Sequence, residues 1–307
     1  MMEYIFGPVL SRRLGFSLGV DIVPFKTCSL DCLYCQLGRT THKTIERQVY
    51  ISLDNVISEL KDALGQNQKI NYITISGSGE PTLNVDLGKI VTAIKETTDI
   101  PVAVLTNTTL LHFERVRDEL MAADLVVPSL DAVSQELFLK INRPHPQLNV
   151  SQMISGLKSF RKVFSGQLWL EIMMVRGLND LPDEVRKIKE VISPIEFDKI
   201  QLNTTVRPVA DKVIEPLTSE ELTNLKELFG ERCEVIAGFK GEQLTIKTNI
   251  PEKIINIISR RPLNLSEISD SLGIPKERTT KYIYFLEKQG KIESLTYGSE
   301  SYYQLKR

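Results

Sequence analysis

Between residues 18 and 237 the chain repeats one pattern: a short, β-rich apolar run, then an amphipathic helical stretch. The runs fall at 18–23, 72–76, 102–106, 125–129, 168–175, 199–203 and 234–237. Helical periodicity fills the intervals. Val56, Ile57, Leu60 and Leu64 share one face after a capping Asp54, and Gly65 stops that helix. Leu87, Ile90, Val91 and Ile94 do the same after Asp86. Further helices are expected over 111–121, 133–141, 150–160, 182–192 and 219–229. A β-then-α order demands crossovers and so a parallel sheet. Six or seven units over this length fit an incomplete (β/α)6 barrel better than an open doubly wound sheet. Chemistry is then expected at the C-terminal ends of the strands.

The alternation ends near residue 250. Ile254, Ile255 and Ile258 mark a first helix. A second, capped by Ser266, carries Ile268 and Leu272 and ends at Gly273. A third begins at Pro275 and carries Thr279, Tyr282, Ile283, Phe285 and Leu286. Two strand-like runs, 291–296 and 301–306, are joined through Gly298-Ser299. Three helices and a hairpin predict a small winged helix-turn-helix over 250–307, following a barrel domain over 1–245. The C-terminal stretch 251–307 holds ten basic and seven acidic residues. Lys276, Arg278 and Lys281 open the expected recognition helix, and Tyr282 and Tyr284 could stack on unpaired bases. Contact with a protein partner fits the same module.

Composition excludes several classes. Of 307 residues 42% are hydrophobic and 25% charged, which is globular and not disordered. Lys+Arg number 38 against 39 Asp+Glu, so no histone-like basic surface is expected. No apolar run approaches the length of a membrane span, and the first residues lack the basic-then-apolar order of a signal peptide. A cytosolic protein with no membrane partner is expected. In that reducing compartment a cysteine cluster points to metal or catalysis.

Three of the four cysteines, Cys28, Cys32 and Cys35, lie in a C-x3-C-x2-C segment with Tyr34 before the third. Thiolates suit zinc and iron–sulfur clusters. Structural zinc takes four closed ligands, usually in two pairs, and here only His42 is near while Cys233 is remote. Three tight cysteines can instead hold three irons of a cubane and leave the fourth open.

This segment resembles the signature of the radical SAM superfamily. The resemblance implies that Cys28, Cys32 and Cys35 hold a [4Fe-4S] cluster whose open iron binds S-adenosylmethionine (SAM). It further implies reductive cleavage of SAM and abstraction of a substrate hydrogen atom. Ser76-Gly77-Ser78-Gly79-Glu80-Pro81 is similar to the superfamily's GGE segment, with Ser78 in place of a glycine. Gly77 and Gly79 would let backbone approach SAM, and Glu80 would meet its ammonium. Asn107 and Ser129, after the next two strands, and Arg176 and Asn203, after the two beyond, are further candidates for SAM contacts. Tyr34 and Gln36 flank the third cysteine, where the superfamily places the adenine. Plainer roles, as helix caps and hydrogen-bonded rim residues, remain open for each; Asp131 in particular could cap the following helix.

The segments 7–15, 19–21, 35–38 and 140–144 also resemble a radical SAM family grouped with the wyosine synthetases, which build a tricyclic base in tRNA. Those synthetases carry a second cluster on N-terminal cysteines; none precedes Cys28, so none is expected here. Three readings follow: a radical SAM enzyme acting on tRNA or other RNA through its C-terminal domain, one acting on a small molecule or protein, and a non-catalytic iron–sulfur regulator. For the first two a flavodoxin- or ferredoxin-type electron donor is the expected partner. Arg12-Arg13 and 143–146 are not accounted for by SAM and could meet an anionic substrate at the barrel mouth. Cys233 is expected to be inert packing.

Overall fold

The computed structural model describes residues 3–66, 68–211, 214–237 and 250–306. Strand β1 (Ile5–Ser11) turns back antiparallel onto β2 (Gly15–Val20). Two short strands, β3 (Thr27–Cys28) and β4 (His42–Lys43), pair with each other in parallel. From β2 onward the main sheet adds β5 (Tyr72–Ile75), β6 (Val102–Thr106), β7 (Leu125–Pro128), β8 (Gln167–Met173), β9 (Lys199–Asn203) and β10 (Cys233–Val235), all parallel. The order is β1-β2-β5-β6-β7-β8-β9-β10, so among the described residues β1 and β10 are unjoined edges. The chain is an α/β protein with a mostly parallel sheet. The antiparallel β1 was not anticipated.

The helices that cover this sheet are α1 (Leu53–Leu64), α2 (Leu87–Thr97), α3 (Glu114–Glu119), α4 (Gln135–Leu137), α5 (Val150–Val163), α6 (Pro182–Ile192) and α7 (Ser219–Phe229). Expected and observed bounds coincide where local chemistry is strong. Proline opens α6, and Thr218 with Glu221 forms a reciprocal capping box on α7. Ser52, not Asp54, caps α1; Asp54 sits in the first turn, where the helix dipole favours it. The largest departure is at 133–141. There α4 is a single turn capped by Ser134, continued by a π turn over Phe138–Asn142 that ends in left-handed Arg143. The tertiary partner explains it: the carbonyls of Ile141 and Asn142 accept the amides of Leu33 and Asp31 at 2.9 Å, inside the cysteine loop.

Strand alternation sorts the core. Ile73, Ile75, Val102, Val104, Val126, Leu168, Leu170 and Leu202 face the helices, each burial stabilising by roughly 1.5–3 kcal/mol. On the inner face Leu14, Ala103, Leu125, Val127 and Trp169 form a separate apolar layer. Further along the same face the residues turn polar: Ser17 and Thr74 share a 2.6 Å hydrogen bond, and Glu171 and Asn203 follow.

The C-terminal segment comprises α8 (Ile250–Ile258), β11 (Leu263–Asn264), α9 (Leu265–Leu272), α10 (Lys276–Lys288), β12 (Ile292–Tyr297) and β13 (Glu300–Leu305). Its strands form an antiparallel sheet ordered β11-β13-β12. Asn264, not Ser266, caps α9. Ile254, Ile258, Ile268, Leu272, Ile283 and Leu286 make a second core that takes in Val9 of β1. The Gly7 amide donates to Asn256 Oδ1 at 2.7 Å. On the other side the Tyr302 hydroxyl donates to the Val206 carbonyl at 2.6 Å, and Arg207 meets Glu267 at 2.5 Å with both buried. The segment therefore lies across the open side of the sheet, from β1 to the chain that leaves β9.

Candidate functional site

The cysteines lie at the C-terminal end of the parallel strands, in the long connection from β2 to α1. Cys28 is anchored by β3, and its carbonyl accepts the Thr44 amide at 3.0 Å. The Cys35 carbonyl accepts from Ala210 at 2.9 Å and Leu33 from Asp211 at 3.0 Å, so the chain after β9 clasps the loop. Gly79 is required by close approach: a Cβ there would stand 1.8 Å from the Thr27 carbonyl oxygen, next to Cys28. Gly77 has φ +125, and a Cβ would press on the Asp21 carboxylate at 2.9 Å. Ser78, which replaces the expected glycine, donates its hydroxyl to Asp21.

Each cysteine sulfur receives one nitrogen donor. Lys26 Nζ reaches Cys35 Sγ at 3.2 Å, Asn107 Nδ2 reaches Cys28 Sγ at 3.5 Å, and Asn142 Nδ2 reaches Cys32 Sγ at 3.4 Å. Backbone strain accompanies all three. Among the described residues the non-glycine positions with positive φ are Lys26, Thr108 and Arg143: one donor and the residues directly after the other two. Such positions cost about 1–3 kcal/mol each and persist where surrounding structure enforces them, commonly at functional sites.

Burial pushes the Cys28 thiol up to about 12, with Glu80 adding to it, and raises Cys32 well above its ordinary value, with Asp131 adding. The Cys35 sulfur adds to the rise at both, and Cys28 adds to that at Cys32. A pocket that resists thiolates yet points donors at each sulfur fits metal-bound thiolates, whose charge the metal neutralises. Among the described residues no three His, Cys, Asp or Glu converge on a single ion. The three thiols, close enough to interact but too open for one ion, fit a cluster of several irons better than a zinc site.

Around them lies a buried acceptor network. Glu80 Oε1 accepts from the Thr82 amide and hydroxyl and from the Thr106 hydroxyl, and Oε2 from the Asn107 amide at 2.7 Å. Burial raises its carboxyl despite those bonds. Asp131 does not cap a helix. Its Oδ1 accepts the Met173 amide at 2.9 Å, and its Oδ2 accepts Asn142 at 2.7 Å and the Tyr34 hydroxyl. Burial pushes Asp131 up to about 6.

Beside the cluster loop is a cavity of about 320 Å³. Of the residues singled out from the sequence, Arg12, Arg13, Tyr34, Gln36, Gly77 and Asn203 line it, with Cys35. Gly79, Glu80, Asn107 and Ser129 stand behind this wall, the first three against the cysteine loop and Ser129 bridged to Glu171. The structure does not bring Arg176 to the cavity: Glu221 holds it in a bidentate pair at 2.6 and 2.7 Å, at the start of α7. Cys233 is buried in the outer core, away from the cavity. Sequence reasoning missed Lys26 and the donor role of Asn142. It also missed Arg260 and Arg261, which reach the cavity from the C-terminal segment.

A mostly parallel α/β sheet carries three cysteines, each met by a nitrogen donor, at its C-terminal end, and the chain belongs to the radical SAM superfamily, whose pattern matches residues 22–192. Its cofactors are a [4Fe-4S] cluster and SAM. Among relatives, the UPF0026 protein MJ1312 of Methanocaldococcus jannaschii is 34% identical over 309 residues, covering 98% of this chain and 96% of its own. A protein of Brachyspira hyodysenteriae named GTPase Obg is 39% identical over 303 residues, 97% of this chain, which spans only 45% of that protein's length. The structure of TYW1 with a lysine-pyruvate adduct superposes with a TM-score of 0.52 at 16% identity, covering 73% of this chain and 75% of that one. That likeness concerns the fold. No helix among the described residues is long and apolar enough to cross a membrane.

Proposed function

We propose that the protein is a radical SAM enzyme that abstracts a hydrogen atom from a substrate held in the cavity beside Cys35. The observation that carries this reading is the one-to-one match of Lys26, Asn107 and Asn142 with the three cysteine sulfurs. Once bound and reduced by a flavodoxin- or ferredoxin-type donor, a [4Fe-4S] cluster would supply the one-electron cleavage of SAM needed for hydrogen abstraction. Cys28, Cys32 and Cys35 would hold the cluster and leave a position for SAM. The backbone at Gly77 and the polar wall of Ser76 and Asn203 orient SAM in the cavity, with Tyr34 and Gln36 toward its adenine. Glu80 fixes the ends of β5 and β6, its Oε2 retaining capacity for an ammonium. Apolar Phe6, Leu105, Met173 and Ile257 keep water from the radical.

A second reading concerns the C-terminal segment as a winged helix-turn-helix that docks RNA. It is favoured by the outer face of α10, where Lys276, Arg278, Lys281 and Lys288 are exposed beside Tyr284, itself 61% exposed. RNA retention that falls steeply with salt, and falls further in Lys276→Ala/Lys281→Ala, supports it; retention indifferent to both rejects it.

The enzyme reading is tested by reconstituting the cluster without oxygen, reducing it, adding SAM and measuring 5'-deoxyadenosine by mass spectrometry, with Cys32→Ala as control. Cysteine-dependent 5'-deoxyadenosine is expected. A fully loaded cluster that neither binds nor cleaves SAM refutes the enzyme and favours a regulator.

A further inference from the structure

Four arginines converge on the cavity from two distant parts of the chain. Arg12 and Arg13 come from the turn between β1 and β2, and Arg260 and Arg261 from the residues after α8. Arg13 is neutralised by a bidentate pair with Glu171 at 2.6 and 2.9 Å. Arg260 lies over the Phe6 ring, 3.3 Å from Asp21 Oδ2, and donates to the Glu3 carbonyl. Arg12 donates to Asn203 Oδ1 at 3.0 Å, and neither it nor Arg261 forms an ion pair among the described residues. Burial pulls Arg12 down to about 9, with Arg207 and Arg13 adding to it. Arg261 is lowered well below its ordinary value by burial, then by Arg207. Arg207 behind them is engaged by Glu267.

Crowded, desolvated guanidiniums are costly unless an anion bridges them. SAM does not meet that need. Its sulfonium and ammonium outweigh its single carboxylate, so it is a net cation. The guanidinium fork matches phosphate oxygens two at a time. The remaining wall, Phe6, Val9, Leu105, Met173 and Ile257, is apolar, and the volume is that of a small-molecule site.

We propose that Arg12 and Arg261, supported by Arg260, form a phosphate-binding subsite for a small phosphorylated substrate, completed only when the C-terminal segment closes the open side of the sheet. This rests on the radical SAM reading for the chemistry, and goes beyond it by assigning the C-terminal segment a part of the active cavity. A small molecule fits better than RNA because residues of that segment already wall the cavity. The basic face of α10 is a separate surface, not part of the cavity lining.

The test uses the reconstituted holoenzyme with inorganic pyrophosphate as probe, followed by titration calorimetry, with sodium chloride at matched ionic strength as control. Saturable binding is expected, weakened about tenfold or more in Arg261→Gln and partly restored in Arg261→Lys, which keeps the charge without the fork. Binding no better than the chloride control, or equally tight in Arg261→Gln, overturns the proposal. Substrate-free 5'-deoxyadenosine formation is measured on the same samples. Wild-type protein that cleaves SAM but ignores pyrophosphate refutes the subsite alone. Protein that binds pyrophosphate through Arg261 but never cleaves SAM refutes the enzyme reading alone. Loss of SAM cleavage in Arg261→Gln with the cluster intact would show that the arginine serves SAM, and also overturns the proposal.

Discussion

Replacing Arg13 by alanine should destabilise the protein severely, and the penalty should shrink on acidification. Arg13 and Glu171 are 10% and 13% exposed in their side chains and are joined by two short hydrogen bonds. Burial pushes the Glu171 carboxyl up, but Arg13, Asn203 and Arg12 outweigh it and hold it below its ordinary value. In the wild type the pair therefore contributes stability that is present above the ordinary glutamate range and lost as pH falls through the lowered value. Without Arg13 only the Asn203 amide at 2.8 Å and the field of Arg12 remain to hold a buried carboxylate. Breaking a buried pair costs about 3–5 kcal/mol, and the surviving Arg12 puts this case near about 3. Burial then prevails and the carboxyl moves above its ordinary value. The mutant recovers by taking up a proton, so the gap to wild type is widest near neutral pH and narrows toward about pH 5. Urea unfolding of the metal-free wild type and Arg13→Ala, at both pH values, reads the difference. Arg13→Met/Glu171→Leu should regain most of the loss, because two apolar partners leave no charge unpaired. A penalty under about 1 kcal/mol at neutral pH, or one that grows on acidification, would refute the reasoning.

Gly79→Ala should abolish cluster assembly, since its Cβ would overlap the Thr27 carbonyl at 1.8 Å; iron and sulfide near wild-type content would contradict this. Asn107→Ala and Asn142→Ala should each make the cluster harder to reduce, because a donor to a thiolate sulfur stabilises the more negative state; a spectroscopic redox titration should give a lower midpoint potential, and an unchanged one would remove the tuning role. Asn256→Ala should cost about 1 kcal/mol by stripping the Gly7 amide of its acceptor, seen as faster hydrogen exchange in α8 and β1; unchanged exchange would mean the segment is held elsewhere.

The strand runs, the bounds of α6 and α7 and the cysteine spacing were legible in the sequence because each is local. Periodicity two or 3.6, a proline at a helix start, a capping box and thiols within eight residues are written over short stretches of chain. Where a local signal met a distant partner, the partner prevailed. The expected helix over 133–141 became one turn and a π turn because Ile141 and Asn142 serve the cysteine loop. Asp131 reads as a helix cap but is recruited by Tyr34 and Asn142. Asn142 meets Cys32 across 110 positions, and Arg12 meets Asn203 across 191. Arg260 and Arg261 read as surface charge in a C-terminal module, and only the packing of α8 and α9 against β1 turns them into the cavity. The cysteine group could be read in advance because its three thiols lie at close spacing along one loop. The donors that surround the sulfurs and the arginines that line the cavity come from distant parts of the chain, and only the folded chain brings them together.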